Sequence, residues 1–231
     1  MQAKCAAILL GSVALAGSVM TSALAQNVPY FEVGEINVKD QKGYEASGVG
    51  KVREVQEAVG CKLIAGGYNK AQGMIGNPPE NRFLVIRCPD KAAMEKHWEA
   101  VTKWWDSEGN KFATLRAVGV EGNAVPIEPG AYYQIVEINV KDQPGYEGSG
   151  VKEVRATQEA VGGKLIGGGY NKATSLVGDP PANRYLIIQY PSKAANDKHF
   201  TENVKPWWES EGRKYSDPLA LKALHRNKSH D

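Results

Sequence analysis

Two copies of a βαββαβ unit, forming an α+β fold, are predicted by this sequence from three observations. The first is a repeat. Residues 35–103 align with 137–205 without a gap, and 43 of the 69 pairs are identical. The second is the pattern inside each copy, in which apolar runs of strand length alternate with segments of helical spacing. The third is that the strands carry apolar residues on both parities, so both faces of each sheet need a cover.

Within the second copy, residues 132–141 read as a strand, and Asp142 has the chemistry of a helix N-cap. Val151, Val154, Gln158 and Val161 recur at helical spacing, and Gly162 is the expected stop. The runs 164–171 and 184–190 read as two antiparallel strands joined by a long loop containing Gly and Pro. Ser192 then opens a second helix through Ala195, Phe200 and Val204, and a last strand is clearest in the first copy at 114–120. This order is the split βαβ, or ferredoxin-like, arrangement. The register slips by one at Pro206, so that Trp104 and Trp105 match Trp207 and Trp208. Units of about 100 residues occurring twice make a tandem pair, since solenoids repeat shorter units at least three times.

Arg184, Leu186, Ile188 and Tyr190 share one parity, and Tyr185, Ile187 and Gln189 the other. Helices cover only one face of such a unit, so the expected cover for the other is the second copy. The ten residues 121–130 can span roughly 30 Å at ~3.3 Å each, enough for face-to-face docking of the sheets.

Residues 1–25 read as a secretory signal, with Lys4 before an apolar run and Ala23-Leu24-Ala25 ahead of Gln26. The apolar run is shorter than the ~20 residues a spanning helix needs, and a mature exported chain from Gln26 is the expectation, most simply in a bacterial periplasm. The boundaries follow: repeat one at 26–122, linker 123–130, repeat two at 131–225 and a polar tail at 226–231. Of the 28 basic side chains only Lys4 lies in the signal, leaving 27 against 26 acidic ones, a net charge of +1. Such balance gives no support to nucleic-acid binding, and no membrane association is expected after signal cleavage.

The aromatic-led first strand with Asp142 and Tyr146 after it, the Gly-Gly-Lys-Leu run at 162–165, the loop at 178–181, the segment Arg184 to Ser192 and then Ala194-Ala195 resemble domain-of-unknown-function family 1330. The resemblance covers both repeats. It implies the dimeric α/β-barrel fold, with the two repeats packed as an intramolecular pseudo-dimer, and assigns no catalytic residue. Members usually have one domain and no signal. The wider superfamily includes haem-degrading enzymes that use Asn, Trp and His. Here His97 and Trp98 are adjacent and point different ways.

Candidate site residues are therefore taken one at a time. Glu35 and Asn37, with their counterparts Glu137 and Asn139, place polar groups on a central strand. A covered carboxylate there either touches a ligand or is paired, and Arg82 for Glu35 and Arg184 for Glu137 are the expected partners. Tyr44, Tyr68, Tyr146 and Tyr170 offer an apolar body with a polar tip, and with Arg82 and Arg184 they complete the ligand-binding candidates. His97 and His199 sit beside the core-facing Trp98 and Phe200, about 100° round the helix, and are expected to be half-exposed. The alternative for them is a general base in a cleft between helix and sheet. The Trp pairs read as core anchors or as an aromatic pocket wall. The run 167–171 matches no phosphate loop, and its glycines read as a bulge or close backbone approach. No metal site and no cofactor are expected from four His and no cysteine cluster. Cys61 opens one strand and Cys88 closes its antiparallel neighbour, so a disulfide between them is expected in an oxidising compartment.

Binding of a small molecule leads these readings. A cofactor-independent isomerase or monooxygenase, or a protein-interaction module, is the alternative.

Overall fold

The computed structural model describes residues 28–76 and 78–224. Residues 1–25, expected to be a signal, and the tail 226–231 lie outside the described residues. In the first repeat β1 is Tyr30–Val38, α1 Gln41–Ala46, α2 Val49–Ala58, β2 Lys62–Tyr68, β3 Ala71–Gly76, β4 Arg82–Cys88, α3 Lys91–Ser107 and β5 Ala113–Glu121. In the second β6 is Tyr132–Val140, α4 Gln143–Gly148, α5 Val151–Ala160, β7 Lys164–Tyr170, β8 Ala173–Val177, β9 Arg184–Tyr190, α6 Lys193–His199 and β10 Ser216–Leu224.

The connection between β2 and β4, expected as a loop, holds a strand, and so does its counterpart. These extra strands are exchanged. The sheets run β2-β4-β1-β5-β8 and β3-β10-β6-β9-β7, so β8 of the second repeat closes the edge of the first repeat's sheet and β3 does the reverse. Each added strand gives an otherwise open edge a hydrogen-bonding partner. Sequence periodicity missed them because Ala-Gln-Gly-Met-Ile-Gly and Ala-Thr-Ser-Leu-Val are too short and too poor in alternating apolar residues to stand out.

The glycine run near the end of β2 has a steric cause. A bulge shifts the β2–β4 register between Leu63 and Ala65, and Gly66 follows at φ +108°, where a Cβ would lie 1.9 Å from the Phe83 carbonyl oxygen. Gly168 repeats this against Tyr185. Only glycine permits that approach. Asn69 and Asn171 then turn the chain at φ 53° and 54°, which gives Asn171 a backbone role.

The inner faces of the sheets meet in one core of Phe31, Val33, Phe83, Val85, Val118, Tyr133, Ile135, Tyr185 and Ile187. The outer faces carry the helices. Asp40, Asp142, Asp90 and Ser192 cap α1, α4, α3 and α6 by accepting from backbone N–H groups three residues on. Helix α3 runs unbroken for 17 residues. Its counterpart carries π-helical turns at Phe200–Val204 and Trp208–Gly212. The extra residue assigned by alignment to Pro206 is thus absorbed already at 200–204, which brings Val204 to the core place that Val101 holds in the first repeat.

Candidate functional site

Strand parity divides the candidates between two faces. In β1, Phe31, Val33, Glu35 and Asn37 turn to the other sheet, whereas Glu32, Ile36 and Val38 turn to the helices. Arg82 pairs in register with Ile36 and not with Glu35, so the expected Glu35–Arg82 and Glu137–Arg184 pairs do not form. The guanidinium between the sheets is Arg116 of β5. It donates to both oxygens of Glu137 at 3.1 and 2.5 Å and lies 3.6 Å from Glu35, joining the repeats. Burial opposes the Arg116 charge, but the hydrogen bond and field of Glu137 outweigh it and hold the group protonated. Burial, then the neighbouring Glu137 and Glu35, push the Tyr185 phenol well above its ordinary value. Glu137 also accepts from the Ala182 N–H at 3.0 Å. Asn139 and Asn171 lie on a shallow groove with Asn183, away from the helices, and Asn37 stands on β1 opposite Thr114. Glu35, Asn37, Glu137 and Asn139 are therefore separated from the other candidates by the thickness of a sheet.

On the helix side the remaining candidates converge. Arg82 lies over the rings of Tyr68 at 4.5 Å and Tyr44 at 5.3 Å, and donates to Glu45 at 3.0 Å. Tyr68 and Arg53 donate to the same carboxylate. Arg184, Tyr170, Tyr146, Glu147 and Arg155 reproduce the box in the second repeat. Burial pushes the Tyr44 and Tyr146 phenols up to about 12. Trp104 closes the first box, donating from Nε1 to the Ser47 carbonyl at 3.0 Å and meeting Tyr44 edge-on. Trp207 does the same with Ser149 and Tyr146. The tryptophans are anchors, and Trp104 is also a cavity wall.

Burial works to raise the Glu45 carboxyl, but Arg53, the Tyr68 hydroxyl and Arg82 outweigh it and hold it below 4.5. In Glu147 burial is likewise outweighed by Arg155 and Tyr170. A depressed carboxylate contributes stability above its unfolded value that is lost as pH falls through the folded one. The thermal midpoint should therefore drop below about pH 4.5, and more shallowly in the Glu45→Gln, Glu147→Gln double variant. Because both groups are partly exposed the difference should be modest. Parallel profiles for the two proteins would refute the assignment.

The repeats differ behind this box. In the first, a cavity of about 490 Å3 runs from Arg82, Tyr44 and Tyr68 inward to Glu32 and His97. In the second, the inner part of the equivalent space, at Gln134 and His199, is about 70 Å3, and the outer part, along Arg155, Glu159 and Leu165, is a separate groove of about 350 Å3. Three paired positions account for this. Tyr190 of the second repeat stands where the first has Cys88, Gly163 where it has Cys61, and Gln134 where it has Glu32. The Tyr190 ring packs against Gly163, where a Cβ would come within 2.7 Å of it. Its hydroxyl lies 2.8 Å from His199 Nδ1 and 3.3 Å from Gln134 Oε1. His199 Nε2 is 3.0 Å from the Val154 carbonyl. Burial lowers the His199 pKa from its ordinary value and pushes the Tyr190 phenol well up.

In the first repeat Cys61 and Cys88 form a disulfide with Cα atoms 4.1 Å apart, and no phenol fills the cavity end. His97 Nε2 lies 3.1 Å from Glu32 Oε2, both side chains being buried. That approach lies off the line of a hydrogen bond, and Glu32 Oε2 and both His97 nitrogens have no hydrogen-bond partner. The expectation of half-exposed histidines is overturned: His97 is 1 % exposed and His199 2 %, because each packs between its helix and the sheet. Sequence reasoning missed Glu32. The available signal was a carboxylate on the helix-facing parity of β1, replaced by an amide in the other copy.

Among the described residues no group of three or more His, Cys, Asp or Glu can hold a metal ion, and no helix is long and apolar enough to cross a membrane.

No family model matches the chain, and no curated protein matches it in sequence. Solved structures match its shape. A chlorite dismutase variant from Candidatus Nitrospira defluvii in complex with cyanide is 9% identical, with 87% of this chain and 92% of that one covered at a TM-score of 0.51. A protein provisionally assigned as a monooxygenase, from Fusobacterium nucleatum subsp. nucleatum, is 14% identical over 88% of this chain and 95% of that one, at 0.50. Another, provisionally assigned as a chlorite dismutase, is 11% identical over 87% and 96%, at 0.54. At these identities the likeness establishes the fold, which is that of the dimeric α/β barrels.

Proposed function

We propose that this chain binds a small organic molecule in the helix–sheet cavity of its first repeat. The observation that carries the reading is the pairing of an open cavity with buried polar groups, Glu32 and His97, that lack aligned partners. Its volume falls within the range of small-molecule sites, and buried polar atoms without hydrogen bonds are uncommon enough to need a reason. The Arg82–Tyr44–Tyr68 box forms the outer rim. The monooxygenase and chlorite dismutase assignments of its structural relatives support a small-molecule role, and a cofactor-independent enzyme using His97 as general base is the second reading, favoured by the carboxylate beside that imidazole. Haem, which some proteins of this superfamily handle, asks for an axial nitrogen facing open space. Both nitrogens of His97 are sealed from solvent and Nε2 faces Glu32, so the residues present do not fit haem.

The sequence resemblance to family 1330 supports placing the chain there, as an exported member that doubled its domain. The signal-like residues 1–25 and the Cys61–Cys88 disulfide support an oxidising compartment. Native mass spectrometry of protein isolated from its own host tests both points. A chain beginning at Gln26 and carrying a releasable organic molecule is expected. A bare chain that takes up nothing from a concentrated small-molecule extract would overturn the binding reading, and an uncleaved chain would overturn export.

A further inference from the structure

The second repeat shows what the first repeat's cavity is shaped to receive. There the end of the cavity is filled from within by Tyr190, an aromatic ring whose hydroxyl sits between His199 and Gln134. In the first repeat the histidine is kept, the amide becomes the carboxylate Glu32, and the phenol is gone. The disulfide of Cys88 with Cys61 takes the place of the ring, and the cavity reaches Glu32 and His97, where the hydroxyl would lie.

From this we infer that the ligand is a hydroxyl-bearing aromatic ring, with its hydroxyl where that of Tyr190 lies in the second repeat, between Glu32 and His97, and its ring in the cavity along Leu63, Ile86 and Val101. The inference rests on reading the first-repeat cavity as a binding site. The chemistry of the two repeats differs in the expected sense. A phenol that is part of the chain needs only a neutral amide and an imidazole, whereas a ligand drawn from solvent gains more from a charged acceptor. His97 turns Nε2 toward Glu32 without forming an aligned bond. Rotation of its ring away from Glu32 turns its N–H to the arriving hydroxyl, at the place where His199 Nδ1 faces Tyr190 in the second repeat. That hydroxyl donates to Glu32 and accepts from His97. Two buried polar groups are satisfied in one step, and leaving such groups unpaired is costly.

The probes are 4-nitrophenol and nitrobenzene, of similar shape and differing by the hydroxyl, titrated calorimetrically against the full chain. A hydrogen bond to a charged acceptor predicts 4-nitrophenol binding at least about tenfold tighter. Glu32→Gln and His97→Phe should each reduce that preference several-fold. Glu32→Gln copies the residue of the second repeat and so tests the idea should His97→Phe fail to fold. The double variant Cys61→Gly, Cys88→Tyr restores the internal phenol and should stop both probes from binding. Equal binding of the probes, both blocked by that double variant, would overturn hydroxyl recognition and leave the cavity as a binding site. Tight 4-nitrophenol binding that survives Glu32→Gln or the double variant would overturn the placement. Binding of neither probe would overturn the inference together with the reading it rests on.

Discussion

Replacing Arg116 by Met should destabilise the protein by about 3 kcal/mol, the largest effect expected of any single substitution here. The substitution keeps most of the aliphatic stem and removes the charge that joins the two sheets. Glu137 is then buried with the Ala182 N–H as its remaining donor among the described residues, and Glu35 loses the cation 3.6 Å away. A carboxylate left in an apolar layer without its cation costs more than the ion pair contributed, because desolvation is no longer offset. Arg116 is itself partly exposed, which keeps the figure at the low end of that range. Chemical denaturation checks it, and adding Glu137→Gln to Arg116→Met should recover a large part of the loss. A single variant within about 0.5 kcal/mol of the parent would show that water reaches the cluster freely.

Removing the disulfide should cost about as much by another route. Cys61 and Cys88 are 27 residues apart in sequence, and the chain-entropy estimate for closing such a loop is about 3 to 4 kcal/mol. The Cys61→Ala, Cys88→Ala variant should therefore melt about 10 °C lower. Calorimetry under non-reducing conditions measures this. A shift below about 3 °C would mean that the reduced chain already holds these strand ends together.

Much of the fold could be read from the residues because its determinants are local. The Asp and Ser caps, the helical spacing of Val151, Val154 and Val161, and the two-sided apolar strands each state their own structure. The exchanged strands could not be read that way, since nothing in Ala71–Gly76 says that its partner lies about 150 residues downstream at β10. The site was half legible. Tyr44, Tyr68 and Arg82 were singled out for their chemistry, and they do meet. Glu35 and Glu137 were chosen for the same reason, yet parity sends them to the other face, where Arg116 has no counterpart to advertise it in the second copy. Glu32 was hidden by the identity of the repeats. Attention to what the copies share favours scaffold, whereas the inner end of the cavity is set apart by three positions where they differ.

The exchange of β3 and β8 bears on how those differences arose. Because each half supplies an edge strand to the other's sheet, loss of either copy would leave the edge of the remaining sheet open. Each copy in this arrangement therefore has an architectural role that does not depend on its own cavity. The second repeat could close its own pocket with a tyrosine and keep that role, while the first was left free to specialise.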